Sequence, residues 1–73
     1  MTKIEMYKNI SLTVDYHIKI IDALKIKNNK SLAKNFYTVI INMVNNYYHF
    51  TPLTVYAKNY FINRITSNTE WLK

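Results

Sequence analysis

The sequence predicts a mainly α fold of β-α-α order, paired as a homodimer through an intermolecular two-stranded antiparallel ribbon, with a third helix at the C-terminal end. Three observations predict it. Residues 4–14 alternate apolar and polar, a period of two that fits a strand with one buried face. Two capped helical patterns follow, separated by Asn28-Asn29. The chain has 73 residues and no Cys. A core that small is marginal alone, no disulfide supplements it, and association with a second copy is the common remedy.

Along the chain, Ile4, Met6, Ile10, Leu12 and Val14 take even positions, and Lys3, Glu5, Tyr7, Asn9, Ser11 and Thr13 take odd ones. Lys8 interrupts the apolar face, so the strand is set at residues 8–14 and residues 1–7 are an N-terminal arm. The β-branched residues of that stretch suit a strand. Asp15 is the predicted N-cap, its carboxylate accepting from the unpaired amides of a helix start. The helix covers residues 16–27, with His17, Ile20, Ile21 and Leu24 as its apolar stripe and Ile18 beside them. Gly is absent, so Asn28-Asn29 is the predicted turn, Asn being tolerant of the left-handed backbone.

Ser31 is the predicted N-cap of the second helix. Leu32, Phe36, Val39, Ile40, Met43, Val44 and Tyr47 recur at three- and four-residue steps, with Lys34, Asn35, Thr38, Asn42, Asn45 and Asn46 mainly between them. This helix ends near Tyr48-His49-Phe50. Thr51-Pro52 opens the third, an N-cap followed by Pro where its missing donor costs nothing. Leu53, Tyr56, Ala57, Tyr60, Phe61 and Ile65 form its apolar face, and it ends near Thr66-Ser67-Asn68. Residues 69–73 are a tail with one further turn. The organisation is thus an arm (1–7), a β-α-α domain (8–50) and a C-terminal helical extension (51–73).

A lone strand cannot satisfy its own backbone donors and acceptors. Pairing with the same strand of a second copy across a two-fold axis does so. Ile10, Leu12, Val14, Phe36, Val39, Ile40, Met43 and Tyr47 then form the dimer core. His17 and His49 are expected to be structural.

The net charge is +6, which favours a polyanionic partner such as nucleic acid. Residues 1–34 carry seven Lys against three acids, and residues 35–73 carry Lys58, Arg64 and Lys73 against Glu70. Ile, Lys, Asn and Tyr make up about half of the chain, a bias towards AT-rich codons. No apolar run reaches the length of a membrane span, and the N-terminal residues lack the basic-then-apolar order of a signal peptide. A cytoplasmic protein without membrane partners is expected.

The stretch Asn9-Ile10-Ser11-Leu12-Thr13-Val14-Asp15, a helix, and then Lys30-Ser31-Leu32-Ala33 opening a second helix resembles the ribbon-helix-helix family of transcriptional regulators, over about residues 8–48. Length and composition are similar to small regulators encoded by viruses of hot-spring archaea, which implies a host cytoplasm. The resemblance implies sequence-specific binding of double-stranded DNA, with the paired strands in the major groove. Asn9, Ser11 and Thr13 are then the base-reading residues. Many members carry a long basic residue in this set and this sequence does not, which counts against guanine readout. The resemblance also implies a phosphate contact at the start of the second helix, through the amides of Leu32 and Ala33 and the Ser31 hydroxyl, flanked by Lys30 and Lys34. Tyr7, Lys8, Lys58 and Arg64 are candidate flanking contacts.

No nucleophile–base pair, phosphate-binding Gly loop or metal-ligand cluster is present, so neither an enzyme nor a cofactor or metal site is expected. Two alternatives stand beside the ribbon. One is a helix-turn-helix protein that uses the second or third helix in the groove, the corner at Tyr48-His49-Phe50-Thr51 allowing it. The other is a helical interaction protein, antitoxin-like or an assembly factor, whose main partner is another protein. The third helix offers such a partner a surface, although its Tyr56, Tyr60 and Phe61 are expected chiefly to enlarge the core.

Overall fold

The computed structural model describes residues 2–50 and 55–73, without the side chains of residues 3 and 47–50. Three helices follow one another: α1 (Lys3–Ile26), α2 (Lys30–Phe50) and α3 (Val55–Asn68), then a 3-10 turn over Glu70–Leu72. There is no strand among the described residues, so the expected β-α-α fold and its intermolecular ribbon are not formed.

Residues 8–14 lie inside α1, which starts well before them. Thr2 is its N-cap, with Oγ1 accepting from the Glu5 amide at 3.1 Å, and Glu5 in the first turn suits the positive end of the helix dipole. Asp15, the predicted N-cap, sits in mid-helix and meets Arg64 of α3.

The strand expectation fails for an arithmetical reason. Met6, Ile10, Val14 and Ile18 are spaced by four, and Ile21 follows three later. A four-residue ladder on even positions satisfies a period of two as well as it satisfies a helix. Ile10 and Val14 are 1% and 0% exposed, whereas Leu12 between them is 58% exposed. In a strand all three would share one face. The β-branched residues cost a helix at most about 0.7 kcal/mol each in propensity. Full burial of one such side chain returns roughly 1.5–3 kcal/mol, so packing decides.

The turn between α1 and α2 agrees with expectation. Asn28 has φ 57°, the left-handed region. The Asn29 amide donates to Leu24 O at 2.9 Å and the Asn28 amide to Lys25 O at 3.0 Å, the paired bonds of a Schellman stop. Asn29 then caps α2, its Oδ1 accepting from the Leu32 amide at 3.2 Å. The cap is therefore Asn29, and Ser31 is already inside the helix.

The main core joins all three helices: Met6, Ile10, Val14 and Ile18 of α1, Ile40 and Val44 of α2, Phe61 and Ile65 of α3. Residues expected to build a dimer core are thus divided. Ile10, Val14 and Ile40 are buried within one chain, Phe36 and Met43 are half-buried, and Leu12 and Val39 are exposed. The Tyr47 side chain lies outside the described residues, as do the His49 side chain, the predicted Thr51-Pro52 helix start and Leu53.

The C-terminal residues fold back. Leu72 completes a second cluster with Ile21 and Ala33, against which Leu24, Phe36, Tyr37 and Trp71 pack. Thr69 is buried there, its Oγ1 donating to Ile65 O at 2.7 Å. The indole N–H of Trp71 is buried without a hydrogen-bond partner among the described residues. No helix among the described residues is long and apolar enough to cross a membrane.

Candidate nucleic-acid interface

The Schellman stop brings the end of α1 and the start of α2 together. Lys25, Lys27, Lys30 and Lys34 are all exposed within this stretch. Lys34 and Lys73 also line one cavity of about 270 Å³ with Tyr37, Thr38, Thr69 and Leu72, so the C-terminal turn adds a fifth lysine near the same end. Asp22 and Glu70 are the acids closest to it in sequence, and between them the chain has no carboxylate at all. That 47-residue gap was the signal available in the sequence for a positively charged α2, whose lysines meet no acid on their own helix.

The expected phosphate contacts are rearranged. The Leu32 amide donates to Asn29 Oδ1, and the Ala33 amide donates to Asn29 O at 3.2 Å. Both donors are used within the chain, and Ala33 is fully buried. The negative end of α1 adjoins the positive end of α2, so their dipole ends oppose one another at the turn. Attraction for an anion at this end therefore rests on the lysine side chains.

Asn9, Ser11 and Thr13 do not form one reading face. At about 100° per residue, Ser11 lies roughly 200° around α1 from Asn9. Thr13 Oγ1 donates to Asn9 O at 2.9 Å, a turn-to-turn bond within the helix. The structure instead brings together a polar strip on α2: Ser31, Lys34, Asn35, Thr38 and Asn42 are all exposed and fall within about 100° of arc. Asn35, Thr38 and Asn42 were visible in the sequence only as spacers between apolar positions.

The flanking candidates scatter. Lys8 is exposed on α1 and Lys58 is half-buried on α3. Arg64 is held by Asp15, in close ion-pair contact that lacks the alignment of a hydrogen bond. Tyr7 lines an open cavity of about 380 Å³ with Tyr56, Ala57, Tyr60 and Phe61. Tyr60 packs edge-on to Phe61 at 5.4 Å, yet Tyr56 and Tyr60 are exposed, so of the three aromatics only Phe61 joins the core as expected. His17 is structural: Nδ1 donates to Thr13 O at 2.9 Å, and the ring meets Phe36 edge-on at 6.1 Å.

No family model matches the chain. No curated protein and no solved structure matches it either.

Proposed function

We propose that this protein binds double-stranded DNA with α2, its polar strip facing the major groove and the lysines at its N-terminal end on the flanking phosphates. One observation carries this: an exposed strip of Ser31, Lys34, Asn35, Thr38 and Asn42 on a helix with no acid, with Lys25, Lys27 and Lys30 exposed around the turn that precedes it. An α-helix fits the major groove, and recognition helices read bases with their N-terminal part. Asn is suited to bidentate contact with adenine, and Ser and Thr both donate and accept. Lysine contacts with phosphate fix register, and the strip supplies selectivity.

The test is duplex affinity against salt, read by fluorescence anisotropy. Each neutralised phosphate contributes about −0.9 to the log–log slope. Lys27→Gln, Lys30→Gln and Lys34→Gln should each flatten that slope by about one unit. Asn35→Ala should relax sequence preference, measured by selection from a random duplex pool, while leaving the slope unchanged. A flat salt response of the native chain sinks the proposal. The exposed Val55, Tyr56 and Tyr60 of α3 favour one other reading, a helical protein whose main partner is another protein.

A further inference from the structure

Leu32, Phe36, Val39 and Met43 stand on α2 at steps of four, three and four residues, and Thr13, His17, Ile20 and Leu24 stand on α1 at the same steps. That is the seam spacing with which a helix packs against another. Leu32 and Val39 are 41% and 56% exposed, and the other six are half-buried. The His17–Phe36 ring contact joins the two seams into one face.

This face is not the one α3 covers. On α1 the seam lies roughly 170° around the helix from Asp15, whose carboxylate meets Arg64 of α3. On α2 it lies roughly 130° from Tyr37, which lines a cavity with Thr69 and Leu72 beyond the end of α3; Met43, at the edge of the seam, also packs against the cluster holding Phe61 and Ile65.

Charge identifies the occupant. The chain carries +6, yet no Asp, Glu, Lys or Arg occurs between Lys34 and Lys58. The α2 seam is bordered by exposed Asn35, Asn42 and Asn46. Two copies of a basic chain repel wherever their lysines face one another; the α1 seam meets exposed Lys27 at its next step after Leu24, but from Thr13 to Leu24 and from Leu32 to Met43 the seam residues themselves are uncharged and let the copies approach. An acidic partner would find no cation along most of it. The seam from Leu32 to Met43 runs about 17 Å, and two helices give a width of about 20 Å. It projects about 330 Å², with Leu32 and Val39 its most exposed residues, the scale of a small, reversible contact.

We infer that two copies of this chain pair along the α1–α2 face opposite α3, as an antiparallel four-helix bundle with Val39 near the two-fold axis. Opposed helix dipoles and mutual repulsion of the lysine ends set the antiparallel sense. The inference does not depend on DNA binding.

Sedimentation velocity over a range of concentrations tests it. The native chain should dimerise at micromolar concentration. Val39→Glu and Leu32→Glu, each placing a charge in the seam, should raise the dissociation constant at least about 100-fold. Their helical circular dichroism should be unchanged, because both positions are exposed in the single chain. Tyr56→Glu, on exposed α3, should leave association as it was. The chain has no cysteine, so mild oxidation should link Val39→Cys, and not Lys8→Cys, into a disulfide dimer. A native monomer up to about 1 mM, an undisturbed Val39→Glu dimer, or dissociation by Tyr56→Glu would each overturn the inference.

Discussion

The sharpest contrast is between Ile10, Leu12 and Val14, which a strand would place on one buried face and α1 does not. Ile10 is 1% exposed and sits in the cluster with Ile40, Phe61 and Ile65, whereas Leu12 is 58% exposed. Ile10→Ala removes three carbons, about 2.4 kcal/mol at roughly 0.8 kcal/mol per buried methylene. The cavity left behind brings the cost to about 2–5 kcal/mol. Leu12→Ala removes surface already wet, and both residues are good helix formers, so its cost should stay within about 0.5 kcal/mol. A domain of this length has a total stability of only about 4–11 kcal/mol, so Ile10→Ala falls near the edge of folding. Ile10→Val, at about 0.5–1.5 kcal/mol, gives a milder version that remains measurable. The assay is urea unfolding followed by helical circular dichroism, with all variants at one protein concentration. Comparable losses at Ile10 and Leu12 would refute the helical placement of residues 8–14.

Three further outcomes follow from local geometry. Asn28→Gly should stabilise the chain by up to about 1 kcal/mol in thermal unfolding, because φ is 57° there and Gly enters that region without the steric cost borne by a side chain; a loss of stability would contradict the turn. Asn29→Ala should cost about 1 kcal/mol by removing the α2 cap, and Ser31→Ala should cost little. Leu72→Ala should cost about 2–4 kcal/mol, because Leu72 closes the cluster with Ile21 and Ala33, whereas a dispensable tail would tolerate it.

The elements legible in the sequence were those fixed by short-range chemistry. Asn28-Asn29 is an example: without Gly, the left-handed residue of a helix stop has few candidates, and two adjacent Asn serve as stop and cap. The periodicity of α2 was legible because its apolar residues mix steps of three and four, which no strand imitates. The first fourteen residues were not, since a run spaced by four is also a run spaced by two. The signs against a strand were Lys8 on the apolar side and the continuation of the ladder to Ile18 and Ile21. With the strand gone, Asn9, Ser11 and Thr13 lose their common face, and the backbone argument for a dimer goes with it. The fold-back of Leu72 depends on contacts distant in sequence and left no local pattern to read.

The two proposals draw on different arcs of one helix, and that is what makes them compatible. Ala33, Ile40 and Val44 face the chain's own core. Leu32, Phe36, Val39 and Met43 form the seam, and Ser31, Lys34, Asn35, Thr38 and Asn42 the polar strip. The core and seam arcs adjoin, Phe36 and Ile40 lying about 40° apart, so α2 is apolar over roughly 200° of its circumference, wider than the stripe of about 100° that one packing face needs. Antiparallel pairing along the seam would hold the N-terminal ends of the two α2 helices about 30 Å apart, at about 1.5 Å per residue. Half-sites one helical turn apart on DNA are separated by about 34–36 Å. The second lysine-rich end would then meet its phosphates as an intramolecular event, at an effective concentration set by the rigid bundle. A single end has few charges and few base contacts of its own, so useful affinity for DNA would come from joining two such ends through the uncharged seam residues Leu32, Phe36, Val39 and Met43.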